Sequence, residues 1–131
     1  MAHSSDYLGN WTEGVDHFNG RRFWEAHEAW ERGWRELPVV EKLHVQALIQ
    51  TAAVFDLVRR GRPGAALSVA RLALEKLEKI QKRGGIGARF PRLDIPGLDK
   101  ALIDLCSLPE VEISKKIATL TLKARLLLSP P

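Results

Sequence analysis

The stretch VEKLHVQALIQTAAVFDLVRR, residues 40–60, decides the fold class. Its apolar side chains cover nearly the whole circumference of a helix instead of a single stripe. A helix with that pattern is the buried one at the centre of a bundle. The Arg-Gly-Arg-Pro that follows is typical of a turn, and Pro63 suits the first turn of another helix. The sequence therefore predicts a central helix and, after a tight turn, a second helix that ends near Lys82.

Helical periodicity continues on both sides of this pair, and residues 83–94 are predicted to form a long loop because they are rich in Gly, Arg and Pro. In the tail, residues 119–123 alternate like a strand, so helix and strand both stay open there, with helix favoured. We predict an all-α fold, a compact single-domain bundle of five or six helices. The predicted helices span about 12–19, 22–36, 40–60, 63–82 and 96–105, with one more within 113–127.

Composition agrees with one compact domain, since 45% of the 131 residues are hydrophobic and 27% are charged. Residues 1–11 are polar and lack an apolar period, so we expect an N-terminal arm there and a single helical domain over residues 12–131. Cys106 is the only cysteine, which excludes an intrachain disulfide and a Cys-rich zinc cluster. With no apolar membrane span and no export signal, a cytoplasmic protein without membrane contact is expected.

Charge divides the chain into two unequal halves. Residues 1–58 carry 5 Lys or Arg against 9 Asp or Glu (5 − 9 = −4), whereas residues 59–131 carry 15 against 7 (15 − 7 = +8). A basic half can bind polyanions, although Lys and Arg on helices more often form a solvated face. Nucleic acid is therefore an open but disfavoured partner, and a homo-oligomer is equally open.

The second predicted helix holds the candidate residues for chemistry. Seven of the nine aromatic residues precede position 35, and this helix interleaves four of them with His27 and glutamates. At about 100° per residue, His27 points into the aromatic face and Glu31 lies at its border, whereas Glu28 and Glu25 point towards solvent. A His and a Glu spaced i, i+4 can both reach one metal ion, but two ligands do not complete a site.

The residues that face this pair decide between a metal site and a structural network. If the turn centres near Pro38, Gln46 and Gln50 of the central helix lie level with His27 and Glu31. Amides are poor zinc ligands, so this geometry favours a buried hydrogen-bonded network over a metal centre. Asp56 becomes a third metal ligand only if the register of the two helices differs from this estimate.

A short similarity supplies a candidate catalytic base. HEAWE, residues 27–31, is similar to the zinc signature HExxH, in which the Glu is the general base. The second His is missing, and Glu28 points away from the inferred core. Glu28 is thus a weak candidate.

Two turns share a local pattern. Gly20-Arg21-Arg22 and Gly61-Arg62-Pro63 each precede a predicted helix, 41 residues apart. The spacing is faintly similar to helical-hairpin repeats such as the tetratricopeptide repeat, whose period is about 34 residues. The match is too thin to predict a solenoid, but it leaves open a helical scaffold without enzymatic activity.

The run FNGRRFWEAHEAWERGW, residues 18–34, resembles the signature of the family called domain of unknown function 309. A second stretch, QALIQTAAVFDLVRRGRPGA, residues 46–65, is similar to the glutamine-containing central helix and turn of that family. With the Leu-Asp at 93–94, the resemblance spans about residues 12–105. The motif residues are Phe18, Asn19, Phe23, Trp24, Glu25, His27, Glu28, Glu31 and Trp34.

The resemblance implies an all-helical single domain with no established activity, which some classifications call a predicted metal-dependent hydrolase. Members often have a His on the central helix where this chain has Asp56, and that change favours magnesium or manganese over zinc. The glycine of the family's first turn is shifted to Gly20 in this sequence.

We therefore carry two hypotheses of different classes. The first is a non-enzymatic binding or scaffold domain whose motif is a buried structural network. The alternative is a metal-dependent hydrolase with His27, Glu31 and Asp56 as ligands of a divalent metal and Glu28 as base. The residues assigned to the network are Phe18, Asn19, Glu25, His27, Glu28, Glu31, Trp34, Gln46 and Gln50.

Overall fold

A computed structural model of the chain describes residues 4–82 and 95–115. All regular elements in these two segments are helical, which confirms the all-α fold. The predicted loop over residues 83–94 and the predicted tail beyond residue 115 lie outside the described residues. The helices are α1 Ser4–Asn19, α2 Phe23–Glu31, α3 Val39–Arg59, α4 Pro63–Lys82, α5 Ile95–Cys106 and α6 Glu110–Lys115, with a 3-10 turn at Trp34–Glu36.

The helices form two antiparallel hairpins, α1 with α2 and α3 with α4. As predicted, α3 lies at the centre, where it packs against both α2 and α4, and α5 packs on the outer side of α4. Ten residues of the 21-residue α3 are buried, including Leu48, Val54 and Phe55. No helix within the described residues is long and apolar enough to cross a membrane.

Helix α1 begins earlier than the sequence predicts. It starts at Ser4 and not at Thr12, so it takes in most of the stretch that was expected to be an arm. The reason is contact with α2 and the residue after it: Tyr7 is 2% exposed, and its hydroxyl donates a hydrogen bond to the main-chain oxygen of Trp30, while Asn10 donates to that of Arg32. Burial also raises the pKa of Tyr7. The division of the whole chain into arm and domain stays a prediction.

Helix α2 is shorter than predicted because of one glycine. The helix ends at Glu31, and Gly33 takes a left-handed conformation with φ of 78°, which residues other than glycine rarely adopt. The chain then makes one 3-10 turn from Trp34, so Trp34 does not lie on the helical face where the sequence placed it. Instead, its Nε1 donates a hydrogen bond to the main-chain oxygen of Lys42, 2.9 Å away.

The turns of the two hairpins have the same backbone hydrogen bonds, 40 residues apart. In the first turn the N–H groups of residues 20, 21 and 22 donate to the oxygens of residues 16, 18 and 17. In the second, the N–H groups of residues 60, 61 and 62 donate to the oxygens of residues 56, 58 and 57. The offset of 40 (60 − 20) differs by one residue from the spacing of the Gly-Arg pairs in the sequence.

Burial follows the same offset. Seven positions of the first hairpin and their counterparts 40 residues later are all buried, so the two hairpins present the same faces to the core. This geometry is a repeated helical hairpin with different side chains. The paired positions are 7 and 47, 11 and 51, 14 and 54, 15 and 55, 18 and 58, 26 and 66, and 30 and 70.

Candidate functional site

The outward face of α2 carries most of the motif. Trp24 is 45% exposed, and the His27 imidazole lies flat against its indole, with ring centroids 5.0 Å apart and planes 7° apart. The prediction that His27 points into the aromatic core is therefore wrong. The core beneath α2 is instead formed by Phe23 and Trp30, which pack on Phe18 of α1.

His27 and Glu31 lie together, as their spacing predicts. Nδ1 of His27 is 3.3 Å from Oε2 of Glu31, which is an ion-pair distance for a protonated imidazole. The pair is not a well-directed hydrogen bond, since Nδ1 has no hydrogen-bond partner within the described residues. The Glu31 side chain is 58% exposed, so the surrounding water weakens the attraction between the two groups.

The buried network of His27 with Gln46 and Gln50 is not formed. Ring centroids of Phe23 and Phe55 are 5.4 Å apart, so the start of α2 is level with the end of α3. By helical rise, His27 is then level with roughly residue 51 (55 − 4), within one or two residues of the predicted position. Oε1 of Gln50, although buried, forms no hydrogen bond with any residue that the structure describes.

The rest of the predicted network divides between core and surface. Phe18 is fully buried, with its ring edge-on to Phe55 at 6.1 Å, and Asn19 is half-buried next to the first turn. Glu25 and Glu28 are exposed. Part of the motif is thus architecture, and its acidic part faces solvent.

The residues present do not fit the divalent metal that the family resemblance implies. Oδ2 of Asp56 accepts a hydrogen bond from Nε of Arg60 at 2.7 Å, so this carboxylate is paired with a cation. Over residues 4–82 and 95–115, no group of three or more His, Cys, Asp and Glu side chains is placed to hold a metal ion. His27 therefore lies beside Glu31, whereas Asp56 is paired with Arg60. The three predicted ligands do not form one site.

An acidic groove runs between α1 and α2. It has a volume of about 510 Å³ and is open to solvent along one side. Sequence reasoning missed that α1 contributes to it, because residues on two helices show no common spacing before the helices pack. The residues lining the groove are Glu13, His17, Glu25, Glu28, Glu31 and Arg32.

The two hairpin turns meet at one end of the bundle. The guanidinium of Arg59 donates a hydrogen bond to the main-chain oxygen of Arg21, and the Arg60 guanidinium lies 5.9 Å from the centroid of Trp24. Sequence analysis assigned no role to Arg59 and Arg60. The i, i+4 spacing of Asp56 and Arg60 was the one signal that could have indicated the pairing of Arg60.

Comparison with known proteins supports the resemblance stated above. The family model described as Domain of unknown function (DUF309) matches residues 11–69, a stretch of 59 (69 − 11 + 1) of the 131 residues. This stretch holds the acidic groove and both hairpin turns, and the chain resembles the DUF309 family over it. Neither a curated protein nor a solved structure gives a significant match.

Proposed function

We propose that this helical protein is a non-enzymatic binding domain, and that the acidic groove takes a positively charged segment of a partner protein. The observation that carries the proposal is the convergence of four glutamates, two of them without a cation, on one open groove. With a single cysteine, Cys106, the chain suits the reducing conditions of a cytoplasm.

The charge balance of the groove favours a cationic ligand. Glu13 forms an ion pair with Arg32, and Glu31 lies beside His27. Glu25 and Glu28 have no ion-pair partner in the part of the chain that the structure describes. Two adjacent carboxylates without a cation attract a lysine or arginine side chain.

The size and the architecture of the groove support the same proposal. A volume of about 510 Å³ accommodates a few side chains of a peptide, within the usual range of ligand sites. Repeated helical hairpins generally serve as rigid scaffolds for binding other chains.

The metal-dependent hydrolase is the less favoured function. Its three proposed ligands are not brought together, and its candidate base, Glu28, lies in the open groove. Hydrolysis by a bound metal needs a third protein ligand as well as an oriented base.

Anisotropy of a fluorescein-labelled peptide of alternating lysine and alanine tests the proposal at low salt. The Glu25→Gln/Glu28→Gln variant is expected to bind this peptide roughly fivefold more weakly, since it loses two ion pairs at the surface. Circular dichroism should show unchanged helix content because both side chains are exposed.

The matched control is Glu36→Gln/Glu75→Gln, which removes the same charge from exposed positions outside the groove. Binding by the control should equal that of the parent protein. An equal loss in both variants, or no binding by the parent protein, contradicts the proposal.

A further inference from the structure

Five arginines converge where the two hairpin turns meet. The hydrogen bond from Arg59 to the main-chain oxygen of Arg21 joins the turns directly. Arg60 lies over Trp24, which follows the first turn. We call this surface the arginine end, and it consists of Arg21, Arg22, Arg59, Arg60 and Arg62.

Most of the charge at the arginine end is not neutralised. Arg60 is paired with Asp56. Arg22 donates instead to Nδ1 of His17 at 2.9 Å, and Arg59 donates to a main-chain oxygen, so neither meets a carboxylate. Arg21 and Arg62 form no ion pair with any described residue. Several like charges this close favour binding of a polyanion.

One of these arginines is held in a strained conformation. Arg21 has φ of 63°, whereas the equivalent position of the second turn is occupied by Gly61 with φ of 73°. Side chains other than glycine rarely adopt the left-handed region because the Cβ atom crowds the backbone there. Such strain concentrates at functional positions, and here it falls on an arginine of the first turn.

An aromatic surface adjoins these charges. The Trp24 indole is 45% exposed and stacked on His27. Exposed aromatic rings beside arginines are the typical platform for unpaired bases, because every base has a flat face that can stack.

We propose that the arginine end binds single-stranded nucleic acid, with phosphates on the arginines and a base packed against the exposed part of the Trp24 indole. This surface adjoins the acidic groove, because Arg22 donates a hydrogen bond to His17 in the groove lining, but the proposal does not depend on the ligand of the groove. An anionic membrane is a poorer fit, because in the described part of the chain the two turns and the residues flanking them carry one exposed large apolar side chain, Trp24.

The first experiment measures anisotropy of a labelled single-stranded oligonucleotide of about ten nucleotides, across a range of salt concentrations. The parent protein should bind, and its affinity should fall with salt. In Arg21→Gln/Arg62→Gln, which removes two guanidinium groups without ion-pair partners, affinity should fall roughly tenfold and the salt slope by about 1.4.

The matched control is Lys76→Gln/Lys79→Gln, which removes the same charge from α4 far from its first turn. It should bind as the parent protein does. An equal loss in the control, or absence of binding by the parent protein at low salt, overturns the proposal.

Two further variants separate binding from folding. Arg21→Gly should raise the midpoint of thermal unfolding because it relieves the strain, yet weaken oligonucleotide binding because it removes a charge. Trp24→Leu should weaken binding of the oligonucleotide but not of inorganic polyphosphate, which has no bases.

The competing partners are tested with the same protein. Phosphatidylserine vesicles or double-stranded DNA that bind more tightly than the single strand contradict the proposal. The Glu25→Gln/Glu28→Gln variant should not bind the oligonucleotide more weakly than the parent protein. The proposal for the acidic groove and the proposal for the arginine end can therefore be contradicted independently of each other.

Discussion

The two hairpins of the bundle have the same backbone turn and share seven buried positions, but they fill these positions with different side chains. In the first hairpin a fully buried Trp30 faces Gly14, where even a single added carbon would overlap the indole. The positions 40 residues later hold Val54 and Ala70, both fully buried. The first hairpin thus pairs the large Trp30 with Gly14. At the equivalent positions the second hairpin pairs the small Ala70 with the medium-sized Val54.

This difference teaches that one backbone hairpin can be packed by different pairs of side chains, provided that the two residues of each pair fit each other closely. It also separates the roles of the hairpins. The first carries the aromatic core contacts, the acidic groove and the strained Arg21, whereas the second has a glycine at its turn and an apolar helix at the centre of the fold.

The largest effect is expected from Gly14→Ala, which tests the close approach of α1 and α2. The added carbon would overlap the Trp30 indole, whose Nε1 is held by a hydrogen bond to the main-chain oxygen of Trp11 at 3.1 Å. Because the ring cannot move away freely, the free energy of unfolding should fall by about 2–3 kcal/mol. Urea unfolding followed by circular dichroism measures it.

Gly9→Ala is the matched control, since Gly9 lies on the same helix with nothing near its added carbon. This substitution should stabilise the protein by up to about 1 kcal/mol through helix propensity. Equal stability of the Gly14→Ala and Gly9→Ala variants would contradict the close packing of Gly14 against Trp30.

An intermediate effect is expected from exchanging the residues at the tips of the two turns. Arg21→Gly should raise the free energy of unfolding by about 0.5–1 kcal/mol, because glycine adopts positive φ without strain. Gly61→Ala should lower it by about 1–2 kcal/mol, although an added carbon meets no atom there, because the backbone conformation itself becomes strained. The two changes combined should partly cancel.

Thermal unfolding of the three variants measures these shifts. If Gly61→Ala left the stability unchanged, the second turn would not need a residue with positive φ at position 61. The two turns would then not share the same backbone conformation.

The smallest effect is expected at Asp99, on α5, which packs on the outer side of the second hairpin. Burial, and to a lesser degree the neighbouring carboxylate of Glu78, raise the pKa of Asp99. A carboxyl with a higher pKa in the folded than in the unfolded state binds its proton more tightly when folded, so stability falls as pH rises through the folded pKa. Asp99→Asn should therefore stabilise the protein at neutral pH by roughly a few tenths of a kcal/mol.

Urea unfolding at about pH 7 and about pH 3.5 checks the sign, because the gain should vanish below the unfolded pKa of about 3.9. Glu75→Gln in the same cleft, for which no such gain is expected, is the comparison. A gain that is larger at acid pH contradicts this interpretation.

Much of the fold was predictable from local pattern. The central position of α3 follows from its apolar circumference, and the start of α4 follows from Pro63. The prediction failed where one distant contact or one glycine outweighed periodicity. Tyr7 extends α1 because it reaches Trp30 on another helix, and Gly33 ends α2 before Trp34.

The candidate site was less predictable than the fold. The i, i+4 spacing placed His27 beside Glu31, but it could not show that Trp24 covers the imidazole or that Arg60 occupies Asp56. Both contacts are local, at i, i+3 in α2 and i, i+4 at the end of α3. Helical spacing shows that such pairs can form, but not which of the possible pairs the packed structure selects.

The sequence by itself determined that this protein is an all-helical bundle around one apolar helix, because the periods of apolar residues and the turn residues are local properties of the chain. Only the tertiary structure decided that Glu13 and Arg32 join the glutamates of α2 in one groove, and that five arginines from two turns meet at one end. Charges on separate helices act together only after packing has set the distance between them, and no local pattern encodes that distance.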